Sequence, residues 1–414
     1  MPFRERSVVD EREEFVRLAL SPGANRRELC RRFGISRSKG YKWLARYAAE
    51  GWAGLVDRSR RPRRSPRRSE ASVEAAVLHL REASNGAWGG RKIARVLSRE
   101  GRAPAASTIT EILRRHGKLA AANEHPGPYQ RFERAQPNEL WQMDFKGDFL
   151  TGRGRCHPLT VIDDHSRYAL AVEACANQQD RPTRERLIAV FRRYGLPDAM
   201  LMDNGAPWGD SGGGRHTGLT VWLLRLGVRV SHGRPYHPQT QGKDERFHRT
   251  LKAEALNGNH FADLDACQRA FDRWRPIYNS QRPHEALGLS TPSERYRPSW
   301  RSYPEILPTI EYGPCDQVRK ADKEGDVTFK SRRIRLGRPF AGQPIALRPT
   351  TADGLFSIHF CAHEIAAVDL RAAEAACGFV DIAPPIHRET GAADAMPTIP
   401  QAQKQQQNAD QRGD

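Results

Sequence analysis

A mixed α/β fold in the middle of the chain, with helical units before it and a small strand-rich unit after it, is the architecture this sequence predicts. Three observations carry that prediction. Capped helical stretches fill the region up to residue 118, and short β-rich runs that later alternate with helices begin at Leu140. Short alternating strands recur after Pro298. A length of 414 residues allows two to four domains at about 150 residues each, every one able to bury a core.

Charge and composition narrow the function classes. Lysine and arginine number 67 against 49 acidic residues, a formal net charge of +18, which favours a polyanionic partner such as nucleic acid. No run of 18 apolar residues occurs, which excludes a membrane-spanning helix. The opening residues Met1 to Arg6 contain no apolar segment of a secretory signal. Cys30, Cys156, Cys175, Cys267, Cys315, Cys361 and Cys377 are scattered, with no C-x-x-C pair. Neither a disulfide framework nor a zinc site is therefore expected, and the cytoplasm is the expected compartment.

Residues 1–57 read as a helix-turn-helix domain. Val8 to Leu20 has helical spacing with Val8, Phe15, Val16 and Ala19 or Leu20 as candidate core, and it ends at Ser21-Pro22-Gly23. Asn25 can cap a second helix, with Glu28 in capping-box position, that carries Leu29, Cys30 and Phe33 and stops at Gly34. Ser36 then caps a third, in which Tyr41, Leu44 and Tyr47 share a face and Arg37, Lys39, Lys42 and Arg46 remain available to DNA. A plain three-helix bundle with a solvated basic face is the alternative. Residues 58–69, with seven arginines and two prolines, form an extended linker suited to phosphate contact through Arg60, Arg61, Arg63, Arg64, Arg67 and Arg68.

A second helical unit is expected over 70–118, helix-turn-helix-like, with helices at Val73–Glu82 and Gly90–Arg99. A third, capped by Ser107, carries Ile109, Ile112 and Leu113. Residues 119–138 read as a linker. The region 139–298 opens with β runs at Leu140–Thr151, His157–Asp163 and Tyr168–Ala174. A helix at about 180–194, a strand at Ala199–Met202, a helix at about 216–226 and a strand at Val228–Ser231 follow, before helices at Gln241–Asn257 and Leu264–Tyr278. Three consecutive strands followed by alternating helices and strands is the order of an RNase H-like sheet. Runs at Asp326–Leu336, Pro344–Arg348 and Gly354–Cys361 suggest a small β-barrel-like domain over 299–384. Residues 385–414, rich in proline, alanine and glutamine, read as a disordered tail.

Three carboxylates stand out. In Trp141-Gln-Met-Asp-Phe145, alternation sends Trp141, Met143 and Phe145 to one side of a strand and Asp144 to the other, where it must reach a cleft or a cation. Asp203 follows the strand Ala199–Met202 at its carboxyl end, the place where open α/β sheets bind ligands. Glu245 lies on a helix with Arg249 and Lys252 at i+4 and i+7, while Phe247, Leu251 and Ala255 face a core. Two aspartates and a glutamate offer the hard oxygens that Mg²⁺ or Mn²⁺ prefers. A pair of such ions can activate a water or 3′-hydroxyl against a phosphodiester. Asp163 and Asp164, between two strands, read as turn residues, and Trp208 and Trp222 as packing residues. His237 could either touch the scissile strand or cap its loop.

The motifs W-Q-M-D-F, V-I-D-D-H-S-R, L-M-D-N-G and P-Y-H-P-Q-T-Q-G-K-D-E-R-F-H-R-T-L-K resemble the integrase catalytic core of bacterial insertion-sequence transposases of the DDE type, relatives of retroviral integrases. Gly51–Pro62 is similar to the stretch after their first helix-turn-helix and Trp88–Ile93 to their second. Asn279-x-x-Arg282-Pro-His284-x-x-Leu287 with Thr291-Pro292 resembles the end of the core. The likeness spans about residues 8–300. It implies a metal-binding triad at Asp144, Asp203 and Glu245, two Mg²⁺ (or Mn²⁺) ions, and DNA contacts from Lys243, Arg249 and Lys252. Asn204 and His237 would lie in an active-site loop. It also implies terminal-repeat binding, 3′-end hydrolysis and strand transfer by at least a dimer on double-stranded DNA, with no membrane role. Two departures stand out. Asp203 and Glu245 are 42 residues apart, longer than the family's spacing, with the excess assigned to Gly209–Arg215. Asp244 occupies a position generally apolar or neutral, although the K-x-E-R register favours Glu245. The zinc-binding domain of retroviral integrases has no counterpart here. A DNA-binding regulator with an inactive core, or a plain nuclease, are the competing readings.

Overall fold

The computed structural model describes residues 7–59, 68–101, 103–119, 133–209, 216–232, 242–372 and 378–386. The chain divides into two compact units, Met1–Arg68 and Ser69–Asp414. Among the described residues no helix is long and apolar enough to cross a membrane.

The first unit is three helices, α1 (Val8–Ala19), α2 (Arg26–Arg32) and α3 (Arg37–Glu50), each begun by a polar cap. Ser7 and Asp10 form a reciprocal capping box on α1, Asn25 accepts from the Glu28 amide, and Ser36 accepts from the Lys39 amide. Glu28 does not complete a box; its carboxylate pairs with Arg31 instead. Phe15, Val16, Ala19, Cys30 and Leu55 form the buried core. Three expected core positions face water: Val8 is 61% exposed, Leu20 52% and Tyr41 54%. On α3 the inward position belongs to Gly40, because a side chain there would collide with the Cys30 thiol and the Phe15 ring. Trp43, Leu44 and Tyr47 pack around it.

The second unit begins with α4 (Ala71–Ala83), α5 (Gly90–Arg99) and α6 (Ala106–Arg115) around Val77, Trp88, Ile93, Leu97, Ile109, Ile112 and Leu113. Ser107 is not the cap of α6; the helix starts two residues earlier, from Ala105, with no side-chain cap.

A six-stranded sheet follows: β1 (Trp141–Phe145), β2 (Phe149–Thr151), β3 (Gly154–Asp163), β4 (Ala169–Cys175), β5 (Ala199–Met202) and β6 (Arg229–His232). The expected run Leu140–Thr151 is two strands, since the chain turns at Gly147, where φ is +87°. β3 pairs antiparallel with β1, β2 and β4, whereas β5 pairs parallel with β1 and β6. Helices α7 (Asp180–Tyr194) and α8 (Gly218–Arg225) cover one face through Trp141, Met143, Leu187, Phe191 and Leu223. On the other face lie α9 (Gly242–Leu251) and α10 (Leu264–Pro276), packed through Ile162, Val172, Phe247, Leu251, Phe271 and Trp274. Each of these two helices runs on into one wider π-helical turn, Lys252–Leu256 and Ile277–Gln281. The short α11 (Pro292–Arg295) closes this part.

The last part is strand-rich, as expected. A five-stranded antiparallel sheet has the order β13 (Ile382–Ala383), β12 (His363–Asp369), β11 (Leu355–Phe360), β10 (Pro344–Pro349), β7 (Gln317–Lys320). With the hairpin of β8 (Asp326–Phe329) and β9 (Arg332–Arg335) it encloses a core of Val327, Phe329, Ile334, Leu347, Ile358 and Phe360. Val221 and Leu224 of α8 join that core, so the strand-rich part rests on the back of the central fold.

Gly40→Ala is expected to destabilise the N-terminal unit by about 1–3 kcal/mol, because the added methyl would lie 2.6 Å from the Cys30 sulfur and 2.9 Å from the Phe15 ring. Chemical denaturation reads this as a lowered midpoint; an unchanged midpoint would contradict the packing described.

Candidate active site

The site is built where β1 and β5 run side by side. Gln142 is in register with Leu201, and two residues further along each strand's direction stand Asp144 and Asp203. Strand alternation sends Trp141, Met143 and Phe145 into the core under α7 and α8, which leaves Asp144 on the face toward α9. Its side chain is 23% exposed. Burial, and then the charge of Asp203, push the Asp144 carboxyl up to about 7, partly opposed by a hydrogen bond from the Phe145 amide. Asp203 is held by its own loop: Oδ1 accepts from the Gly205 amide at 3.1 Å and from the Trp208 indole N–H. Trp208 in turn stacks on Phe145 at 5.2 Å, so it both packs and orients the carboxylate. Asn204 is exposed in the same loop.

The helix α9 approaches from the other side, tied down by Asp164. This aspartate, 0% exposed, accepts from Gln142 Nε2 at 2.6 Å, from the Arg134 amide at 2.8 Å and from the Lys243 ammonium. Asp163 is the turn residue expected, accepting from the Asn138 and Ser166 amides and the Ser166 hydroxyl. Asp164 therefore does more than hold a turn. Lys243, expected to contact DNA, is turned inward instead, 16% exposed and paired with Asp164. Burial lowers its ammonium to about 8 in spite of that pair.

Adjacent positions on α9 part company. Asp244 is 2% exposed, and its carboxyl is held well above the usual range by burial and by the charges of Asp144 and Asp164. Its Oδ1 is a buried acceptor with no hydrogen-bond partner among the described residues. Glu245 is exposed. Among the described residues no three His, Cys, Asp or Glu side chains converge as a metal cage. Asp144 and Asp203 come together, and Glu245 stands apart from them. Arg249 and Lys252 are exposed, while Phe247, Leu251 and Ala255 lie in the core as expected.

His248 and Thr160 escaped the sequence reading. Thr160 lies opposite Asp144 in β3 and gives its hydroxyl proton to the Asp144 carbonyl at 3.0 Å. Nε2 of His248, 2.8 Å from that hydroxyl, is therefore the donor to it. Nδ1 then faces Asp144 Oδ2 at 3.8 Å. Burial and Lys146 lower the imidazole to about 4, so at neutral pH it adds no charge to offset Asp144. The available signal was its i+4 spacing from Asp244. In the first unit Arg37, Lys39 and Lys42 are exposed on α3 and Arg46 is half-buried, its guanidinium 5.0 Å from the Trp43 ring. Arg68 is exposed. Arg60, Arg61, Arg63, Arg64, Arg67 and His237 lie outside the described residues.

Comparison with known families adds to this geometry. An integrase core domain model matches residues 134–238 and a second one 226–292. The C-terminal domain of IS481 family transposases matches 316–376, a helix-turn-helix domain 11–63, and a homeodomain-like domain 39–113. The chain has the domain set of an insertion-sequence transposase. Integrase core domains of this kind belong to DNA transposase and integrase enzymes, and here helix-turn-helix domains precede the core. The chain is 28% identical to the insertion element IS407 uncharacterized 31.7 kDa protein of Burkholderia multivorans, over 50% of this chain and 74% of that one. It is 26% identical to the putative transposase for insertion sequence element IS5376 of Geobacillus stearothermophilus, over 56% of this chain and 59% of that one. Among solved structures, a simian T-cell lymphotropic virus intasome in complex with PP2A regulatory subunit B56 gamma aligns over 74% of this chain and 95% of that one. The identity over that overlap is 14% and the TM-score is 0.36.

Two outcomes are expected of the site. Removing one partner of a buried ion pair costs about 3 kcal/mol or more, so Asp164→Asn should lower the melting temperature, and Lys243→Met in the same chain should restore part of the loss. An unshifted melt would mean that Asp164 does not anchor α9. The second concerns pH. Asp144 sits at about 7 in the fold but near 3.9 in an unfolded chain, so folding takes up a proton between those values and stability falls as pH rises through them. Without divalent cations, Asp144→Asn should flatten that fall in a thermal-shift series; a slope equal to that of wild type would assign it to other groups.

Proposed function

We propose that this protein is a DDE transposase that binds the terminal inverted repeats of its element and joins their 3′ ends to target DNA. The observation that carries the reading is the convergence of Asp144 and Asp203 at neighbouring strand ends, where their repulsion is met by no cationic side chain among the described residues. Hard carboxylate oxygens under such mutual repulsion fit a divalent cation. Bound there, Mg²⁺ or Mn²⁺, as two ions in the full site, would activate the attacking oxygen and stabilise the leaving one.

The chain's own residues supply the rest. Trp208 and the Gly205 amide fix the direction of Asp203, and Thr160 with His248 lines the floor beside Asp144. We assign the third ligand to Glu245 on the K-x-E-R register, although Asp244 is the carboxylate turned inward, under the charge of Asp144. Arg249 and Lys252, exposed on α9, would meet the phosphates of the reacting strand. The basic side of α3, with Arg37, Lys39, Lys42 and Arg46, would enter a major groove, and the arginines of residues 58–69 would follow the backbone. Joining requires two ends held together, so at least a dimer on DNA is expected, in the cytoplasm.

A strand-transfer assay tests this, with a labelled duplex of the element's end, a plasmid target, and Mg²⁺ or Mn²⁺. Joined product is expected, and Asp144→Asn, Asp203→Asn or Glu245→Gln should each reduce it by about a hundred-fold or more while end binding persists. Retained joining in any variant removes that residue from the triad. Loss in Asp244→Asn with activity kept in Glu245→Gln would transfer the role to Asp244. End binding without cleavage under either metal favours the regulator with an inactive core, a reading to which the separation of Glu245 lends weight. Cleaved ends without joined product would indicate a nuclease.

A further inference from the structure

Beyond the metal ligands, one buried carboxylate joins three separate parts of the catalytic unit. Glu254 lies in the π-helical turn that extends α9, and its side chain is 5% exposed. Oε1 accepts from the Trp88 indole N–H at 3.2 Å and from Arg282 Nε at 2.8 Å, and Oε2 accepts from the Trp274 indole N–H at 3.1 Å. Trp274 is on α10, Arg282 follows the turn after it, and Trp88 belongs to the core of the α4–α6 unit. Next to it, Asn85 Nδ2 donates to the carbonyls of Ala253 and Asn257 at 3.1 and 2.9 Å, so the same turn is gripped by backbone contacts as well.

Such a cluster is costly to build. An ionised carboxylate taken out of water is repaid only when its lone pairs are filled by well-placed donors, and an apolar side chain of equal size would strand two indole N–H groups and a guanidinium. What the charge adds over an apolar contact is direction. Glu254 is nine residues along the helix from Glu245, about 13 Å of rise. It thus sets the axial position of the helix that carries the catalytic candidates. The α5 helix of the unit it grips presents Arg91 and Arg95 to solvent.

We propose that Glu254 is a positioning residue: through Trp88 it locks the α4–α6 unit to α9, so that DNA held by that unit reaches Asp144 and Asp203 in register. The proposal rests on the transposase reading and concerns the rate of cleavage rather than the grip on DNA. Trp88→Phe removes one donor and keeps an aromatic ring in the core; Glu254→Gln keeps the shape and removes the charge.

The test measures, on full-length protein, the Kd for a labelled end duplex and the single-turnover cleavage rate at saturating protein with Mn²⁺. In both variants the rate should fall by about ten- to a hundred-fold, the scale of misplacing a reacting group by an ångström, with Kd within about two-fold of wild type. Rates equal to wild type overturn the proposal, and so does a fall in rate and affinity together. If wild type does not cleave, the transposase reading fails, and amide exchange decides the coupling separately. Faster exchange confined to α4–α6 and the turn at 252–256 in Glu254→Gln supports the lock, and unchanged exchange there refutes it.

Discussion

The parallel pairing of β1 with β5 is the constraint on which the rest depends. Because Gln142 and Leu201 are in register, the next outward-facing carboxylates are brought to one edge whether or not their charges agree. They do not agree, and the Asp144 carboxyl rises to about 7 in consequence. A fold selected only for stability would not keep two acids there. The pair is tolerated because the strands around it are buried on both faces: Trp141, Met143 and Met200 on one side and Ile162, Ala169 and Val172 on the other hold the backbone in place. Stability gained in the core is spent at its edge.

The elements around that edge hold the acids still without neutralising them. Trp208 donates to Asp203 while stacking on Phe145, so one side chain links the two strand ends. His248 is kept neutral by burial, which leaves it a hydrogen-bonding wall. Asp164 takes up Lys243, an ammonium two residues from Glu245, and removes it as a counter-charge for the catalytic candidates. The result is a local excess of negative charge inside a chain whose formal net charge is +18. A divalent cation and a polyanionic substrate need that combination: carboxylates for the metal, and a basic surface elsewhere for DNA.

Order along the chain also separates two tasks. The α1–α3 unit has its own core and its own caps and forms a compact body by itself. The α4–α6 unit, similar in its helix count, is bonded into the catalytic unit through Trp88, Asn85 and the ion pair of Arg99 with Glu294. Similar helical pieces are therefore used differently, one as a separate compact unit and the other bonded into the central fold. The strand-rich part leans on α8 through Val221 and Leu224, so the same helix serves two cores.

Local rules in the sequence determined a good deal. Strand alternation put Asp144 on its face, the carboxyl end of a strand located Asp203, and short polar side chains at Asn25 and Ser36 began their helices, because each of these depends on neighbours a few residues away. The domain set was legible in the motifs for the same reason. Tertiary structure decided what spacing leaves degenerate. Tyr41 and Leu20 have helical periodicity suited to a core yet face water, since the neighbouring Gly40 and Ala19 take the buried positions, Gly40 in a gap too narrow for a side chain. The sequence placed Asp244 and Glu245 side by side, and only the packing of Phe247 and Leu251 against the sheet turned Asp244 inward and Glu245 out. Glu254, unremarkable as a letter in a charged helix, acquires its three donors from residues 88, 274 and 282. Contacts that distant are fixed by packing, which no local pattern encodes.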